Sequence, residues 1–154
     1  MALRARRKSP RHKNTFHNRG EKKMRNAKII PIFYICNDES VGSTVTSLRS
    51  IIDKRDESYN YSVCILHDGL NKKNMKKMFD LGKCGVNITL EDMSAYTKCD
   101  TVSFSPDFVR AFIPEMFPGY HRSILVNNDY RASEDIGRYL DGTSANSPLL
   151  RIGY

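Results

Sequence analysis

Two continuous apolar runs constrain the fold of this chain more than any other feature. Residues 29–35 and 61–66 consist almost entirely of β-branched, aromatic and other apolar side chains, without regular alternation of polar residues. Strands that are apolar on both faces are typical of parallel sheets covered by helices on both sides. An antiparallel sheet with one face in solvent would alternate instead. The two runs therefore predict buried central strands.

A helical pattern follows each of these runs. After the first run, apolar residues recur mostly at intervals of three to four, as on the inner face of a helix, at Val41, Val45, Leu48, Ile51 and Ile52. After the second run, we expect a helix over residues 71–81, with Gly82 ending it. Strands that alternate with helices form βαβ units, so the sequence predicts an α/β fold with a mostly parallel sheet flanked by helices.

The second half of the chain continues this alternation. Residues 86–90 and 123–126 are predicted strands. Between them, Ser105 is expected to cap a helix that begins at Pro106 and stops at Pro114. Proline is favoured at the first position of a helix, but it lacks the amide hydrogen that the helix interior requires.

Positive charge is concentrated at one end of the chain. Eleven of the 25 Lys and Arg residues lie within residues 1–28, against a single acidic residue, Glu21. Because the formal net charge of the whole chain is +8, residues 29–154 carry a net charge of −2. Residues 1–28 also have few apolar side chains, so we expect a disordered basic tail, followed by one folded domain over residues 29–154.

The tail leaves three alternatives open: anionic lipid head groups, nucleic acid, or no partner. Nucleic acid is the least favoured, because the folded part is not basic. No run approaches the roughly 18 apolar residues of a membrane span, and the tail lacks the apolar middle of a secretory signal. We therefore expect a cytoplasmic protein with at most peripheral membrane contact, and reduced core cysteines at Cys36, Cys64, Cys84 and Cys99.

Polar side chains follow every predicted strand. In open α/β sheets, ligands bind beyond the carboxyl ends of the strands. Glycine-rich loops of the dinucleotide and P-loop types do not occur in this sequence, which argues against those nucleotide sites. The polar residues at the strand ends are Asn37, Asp38, His67, Asp68, Asp92, Asn127 and Asp129.

Asn127 and Asp129 are the candidate metal ligands. Residues two apart on a strand point to the same side, so the two side-chain oxygens would converge on one hard cation such as Mg²⁺ or Mn²⁺. The alternative is a plain turn, which Asn and Asp residues favour after a strand. The residues themselves leave both interpretations open.

The order and spacing of six segments make this sequence resemble glycosyltransferase family 8. This family contains bacterial lipopolysaccharide galactosyl- and glucosyltransferases and relatives of glycogenin. The resemblance covers about residues 29–140. It is carried by residues 30–38, 47–52, 63–70, 108–118, 120–129 and 134–136.

This resemblance implies a GT-A fold and a retaining transfer of a hexose from a UDP-sugar to an acceptor hydroxyl, in glycan or lipopolysaccharide synthesis. The acceptor would be a sugar or a lipid-linked glycan, and Mn²⁺ or Mg²⁺ would assist. The resemblance assigns no catalytic residue. It implies donor binding by Asn37, Asp38, Arg110 and Asn128, and it aligns Asn127 and Asp129 with the two aspartates of the family's Asp-x-Asp metal motif.

The sequence departs from the family pattern at several points. Asn127 replaces the first aspartate of the motif, which removes a negative charge and weakens the expected metal site. Ser40 stands where the family usually has a tyrosine beside the base. The sequence ends before the family's C-terminal histidine motif, so we expect a truncated domain with weak or no turnover. The spacing of Arg110 and Asp107 also fits an ion pair within a helix.

Two alternatives to an active enzyme remain. One is a non-catalytic nucleotide-sugar-binding remnant. The other is a small α/β module that docks on nucleic acid or membrane through its basic tail. Metal-dependent UDP-sugar binding would exclude the docking module, and turnover would separate the enzyme from the remnant.

Overall fold

The computed structural model of the protein describes residues 27–97, 104–142 and 148–154. In these residues five strands form one sheet in the order β3-β2-β1-β4-β5, and all neighbouring strands are parallel. The predicted α/β fold with a mostly parallel sheet is therefore confirmed. The strands are β1 (Lys28–Ile35), β2 (Tyr59–His67), β3 (Asn87–Asp92), β4 (Ser123–Val126) and β5 (Leu149–Ile152).

Helices connect these strands and cover both faces of the sheet. A 3-10 turn over Gly82–Cys84 follows the second helix. None of the helices in the described residues is long and apolar enough to cross a membrane. The helices are α1 (Val41–Lys54), α2 (Lys72–Leu81), α3 (Ser94–Thr97), α4 (Pro106–Met116) and α5 (Arg138–Gly142).

The core lies on both sides of the central strand β1. Ile30, Ile32 and Tyr34 pack on one face with residues of α1, α2 and α5, whereas Phe33 and Ile35 pack on the other face with α4. Successive side chains of a strand point to opposite faces, so a strand buried on both faces must be apolar throughout. This explains the continuous apolar run from which the fold was predicted.

The start of α4 agrees with the sequence, but its end does not. The Ser105 Oγ accepts a hydrogen bond from the Phe108 amide at 3.2 Å, and Pro106 is the first helical residue, as predicted. Pro114 does not stop the helix, which continues to Met116. A proline in a helix removes one amide hydrogen bond and crowds the carbonyl of the fourth preceding residue, but it leaves the amides of the following residues free to donate. The next bonds remain, and the Phe117 amide donates to the Ile113 carbonyl at 3.1 Å.

The predictions for the cysteines and for the end of the tail can be compared with the structure residue by residue. Cys36 and Cys64 are buried free thiols, as expected, but Cys84 is exposed, so its assignment to the core is wrong. The reason is its place in the 3-10 turn after α2, outside any strand. Cys99 and residues 1–26 of the predicted tail lie outside the described residues. Lys28, which the prediction assigned to the tail, is the first residue of β1.

Candidate functional site

The order of the sheet reverses between β1 and β4. From β1 the chain continues outward to β2 and then β3, whereas β4 lies on the opposite side of β1. In open α/β sheets this reversal opens a crevice at the carboxyl ends of the two strands, where ligands bind. Asn37 and Asp38 follow β1 at this edge, and residues 127–129 follow β4. The sequence therefore places five of its six predicted site residues at the reversal point.

Asn128 joins the two loops of this crevice. Its Nδ2 donates to the Ile35 carbonyl at 2.9 Å, which connects the loop after β4 to the end of β1. Its Oδ1 is buried and has no hydrogen-bond partner among the described residues. A buried acceptor without a partner is uncommon in folded proteins. Asn128 therefore offers an acceptor at the point where the two loops meet.

Asn37 and Asp38 are exposed and hold the loop after β1 in place. The Asn37 Oδ1 accepts from the Ser40 amide at 2.9 Å, and the Ser40 Oγ accepts from the Asn37 amide at 3.0 Å. Asp38 accepts from the Asn74 side chain at 2.8 Å and from the Asn71 amide at 3.1 Å. The hydrogen bond from Asn74, followed by that from Asn71, lowers the pKa of the Asp38 carboxyl. Asp38 thus ties this loop to the beginning of α2.

Asn127 holds the segment that follows β5. Its Nδ2 donates to the Gly153 carbonyl at 2.7 Å, and its Oδ1 accepts from the Asp129 amide at 3.3 Å. Gly153 has a φ of +79°, and a Cβ there would lie 2.9 Å from the Tyr130 Cβ. Only glycine therefore allows the backbone to approach Asn127 this closely.

Asp129 contributes one available carboxylate to this edge. It is exposed, and no hydrogen bond or ion pair to its carboxylate is found among the described residues. The Asn127 oxygen is engaged with the Asp129 amide. Within residues 27–97, 104–142 and 148–154, no group of three or more His, Cys, Asp or Glu side chains lies close enough to hold a metal ion. The described side chains alone therefore do not make a complete metal site.

Arg110 lies on α4 and forms the ion pair that its spacing allowed. Its Nη1 is 3.1 Å from the Asp107 Oδ1. Partial burial raises the pKa of Tyr154, and the positive charges of Arg151 and Arg110 oppose that rise. The Arg151 guanidinium stands 4.4 Å from the centroid of the Tyr154 ring. The charge of Arg110 therefore acts on Tyr154, in the segment that Asn127 holds.

Two other residues at strand ends accept hydrogen bonds from backbone amides of the turns that directly follow them. His67 is buried, and its Nδ1 accepts from the Gly69 amide at 3.1 Å and from the Leu70 amide at 3.2 Å. Asp92 accepts from the Ser94 amide at 2.8 Å at the start of α3. Arg151, Gly153 and Tyr154 lie in or beside the segment that Asn127 holds, and the sequence did not predict them as neighbours of the crevice. Only the glycine gave a signal, because glycine marks places where backbone segments approach closely.

Comparison with known proteins identifies the fold. No family model matches the sequence, and no curated protein matches it. Among solved structures, the chain is similar to the apo structure of WbbM, a bifunctional glycosyltransferase, with a TM-score of 0.66 and 23% sequence identity. The fold is shared with a glycosyltransferase. The similarity covers 75% of this chain but 21% of the WbbM chain. It agrees with the predicted GT-A type of α/β fold.

Proposed function

We propose that the chain is a glycosyltransferase domain that binds a UDP-sugar in the crevice between β1 and β4. The reaction would be a retaining transfer of a hexose to an acceptor hydroxyl, in glycan or lipopolysaccharide synthesis. The observation that carries this proposal is the pair of polar loops at the reversal point, joined by Asn128 and Ile35, in a fold shared with a glycosyltransferase. The lack of glycine-rich phosphate loops in the sequence favours UDP over NAD or ATP.

The donor would be held by side chains from three elements. Asn37 and Asp38 would face the uridine, and the Asn128 Oδ1 would accept a hydrogen bond from the ligand. Arg110 would bind phosphate or sugar oxygens, for which a guanidinium is suited. Its present partner, Asp107, is 85% exposed, and exposed ion pairs contribute little free energy. A phosphate can therefore compete for Arg110 at low cost.

Mn²⁺ or Mg²⁺ would accompany the nucleotide in this proposal. Asp129 would hold the ion together with diphosphate oxygens, because these ions accept one or two carboxylates plus substrate phosphates. The ion would offset the charge that develops on the departing UDP. Asn127 supplies no charge, and its polar side-chain atoms are engaged with Gly153 and Asp129. We therefore expect weaker metal binding than two carboxylates would give, and slow transfer.

The single carboxylate, Asp129, beside the uncharged Asn127 favours a second candidate, a nucleotide-sugar-binding protein without transferase activity. A site with one carboxylate binds a metal–nucleotide complex less firmly, and transfer depends on holding donor, metal and acceptor in one geometry. The two candidates share the binding step and differ in turnover. A protein that docks only through its basic tail would show neither.

The release of UDP from UDP-glucose and UDP-galactose with Mn²⁺ tests these candidates. Release that depends on a sugar acceptor would support the transferase, and binding without release would support the binding protein. Asp129→Asn should reduce metal-dependent binding at least about tenfold, the loss expected for a charged ligand group. The matched control is Asp68→Asn, an exposed aspartate after β2. If Asp129→Asn and Asp68→Asn bind UDP-sugars equally, the proposed metal position is wrong.

A further inference from the structure

The solvent face of α2 carries a dense cluster of positive charge. Four lysines lie within its ten residues, and all four are exposed. The opposite side of the helix buries Met78 and Leu81 in the core. No ion pair to these lysines is found among the described residues. We call this cluster the α2 lysine face; it comprises Lys72, Lys73, Lys76 and Lys77.

Helix stability does not explain the α2 lysine face. Lys72 and Lys73 stand in the first turn, where the positive end of the helix dipole disfavours cations, and this turn holds no acidic residue. Lys76 and Lys77 each lie four residues after another lysine, and like charges at this spacing destabilise a helix. Residues 29–154 carry a formal net charge of −2, so without these four lysines the remainder carries −6. Asp80, four residues after Lys76, is the one acidic residue of this helix and offsets only part of the repulsion. The cluster therefore on balance opposes local stability and fits an anionic partner.

Apolar groups adjoin the α2 lysine face. Phe79 is 52% exposed, and helical periodicity places it on the same side as Lys72 and Lys76. On the other flank, a groove of about 330 Å³ separates α1 from α2. It is lined by the apolar side chains of Val41 and Val45 and by the charged side chains of Arg49, Lys77 and Asp80.

We propose that the α2 lysine face docks on an anionic membrane surface. The lysines would contact lipid head groups, and Phe79 would enter the boundary between head groups and acyl chains, as on helices that lie in a membrane interface. The exposed aromatic ring and the apolar side chains of the groove favour a membrane over duplex nucleic acid, whose phosphates attract basic side chains but whose stacked bases offer no place for the ring. Docking would bring the crevice edge to the bilayer, because Asp38 ties the start of α2 to the loop after β1. The proposal does not depend on sugar transfer.

Vesicle binding by the full chain tests the proposal. The probes are vesicles of phosphatidylcholine alone and of phosphatidylcholine with phosphatidylserine. Replacing the four lysines of the face by glutamine should weaken binding to the anionic vesicles at least about tenfold, and neutral vesicles should bind weakly in every case. The matched charge control replaces Arg4, Arg6, Arg7 and Lys8 of the N-terminal segment by glutamine. Its loss should be smaller than that of the α2 variant.

A second pair of variants tests the aromatic contact. Phe79→Ala should weaken binding to anionic vesicles several-fold, whereas Tyr96→Ala, which removes another exposed ring outside α2, should not. The melting temperature of the four-glutamine variant should equal or exceed that of the unmodified chain, because like-charge repulsion is relieved. Unchanged vesicle binding by the four-glutamine variant would overturn the proposal. So would a lower melting temperature, or a loss of duplex DNA binding with vesicle binding intact.

Discussion

At the residue scale, Asn127 couples the loop after β4 to the segment after β5. An aspartate at this position would supply a second carboxylate beside Asp129, but it has no N–H to donate to the Gly153 carbonyl. The amide makes that bond at 2.7 Å. In the proposed metal site Asn127 supplies no charge, but its amide makes a hydrogen bond that holds the segment after β5.

The substitution Asn127→Asp should show both effects. The new carboxylate faces a carbonyl oxygen, so the free energy of unfolding should fall by about 1–3 kcal/mol without metal. Beside Asp129 it adds negative charge, so Mn²⁺ should raise the melting temperature of the variant more than that of the unmodified chain. The control, Asn127→Ala, should lose stability without gaining the Mn²⁺ response. An Asn127→Asp variant that is as stable as the unmodified chain would contradict this account of Asn127.

Gly153 provides a second test of this contact. Gly153→Ala should destabilise the protein by about 1–2 kcal/mol from the backbone conformation alone, because φ is positive there. The added Cβ would also meet the Tyr130 Cβ. The control is Gly119→Ala, where nothing lies within 4 Å of the added Cβ. Urea unfolding of both variants checks the prediction. Equal unfolding midpoints would mean that the Gly153 backbone is not held against Tyr130.

At the scale of elements, the helices and strands with long apolar patterns were predicted from the sequence, and the shortest elements were mostly not. β1, β2 and α1 were predicted because long apolar runs and a repeated helical stripe leave one interpretation, and β4 was predicted with its observed bounds. The structure adds α3, α5 and β5, which have four, five and four residues. β5 is half-buried at the sheet edge, so its pairing with β4 determines it rather than its own pattern. Because β5 was not predicted, Arg151 and Tyr154 were not predicted as neighbours of the crevice either.

Within α1, Gly42 gives a prediction about the helix itself. It is exposed, and nothing lies within 4 Å of a Cβ added there. Gly42→Ala should therefore raise the free energy of unfolding by about 0.4–1 kcal/mol, since alanine loses less backbone entropy on folding. Gly69→Ala should act in the opposite direction, because Gly69 has a φ of +115°. Urea denaturation of the two variants measures both signs. A destabilising Gly42→Ala would show that α1 packs differently at its first turn.

At the scale of the whole molecule, a polar contact joins α5 to the amino ends of β1 and β2. Asp141 forms an ion pair with Lys28 and accepts a hydrogen bond from the Tyr59 hydroxyl at 2.6 Å. The hydrogen bond from Lys28, followed by that from Tyr59, lowers the pKa of the Asp141 carboxyl. The contact lies at the amino ends of the strands, opposite the carboxyl ends that form the candidate crevice.

This contact should depend on pH. A carboxyl whose pKa is lowered in the folded state contributes stability above its unfolded pKa, about 3.9, and that stability is lost as the pH falls through the folded pKa. The unmodified chain should therefore be more stable than Asp141→Asn at pH 7, and the difference should vanish in more acidic solution. Thermal unfolding across this range, with Asp68→Asn as control, checks the prediction. A difference that grows on acidification would contradict it.

Calorimetric titration of the full chain with UDP, ATP and NAD, each with Mn²⁺, tests whether the crevice is a nucleotide-sugar site. The crevice between β1 and β4 holds polar side chains but no glycine-rich phosphate loop, and its fold is shared with a glycosyltransferase. UDP should therefore bind most tightly, and Asn128→Ala should weaken it because the buried acceptor is removed. Tighter binding of ATP or NAD, or no binding of UDP, would contradict the proposed nucleotide-sugar site.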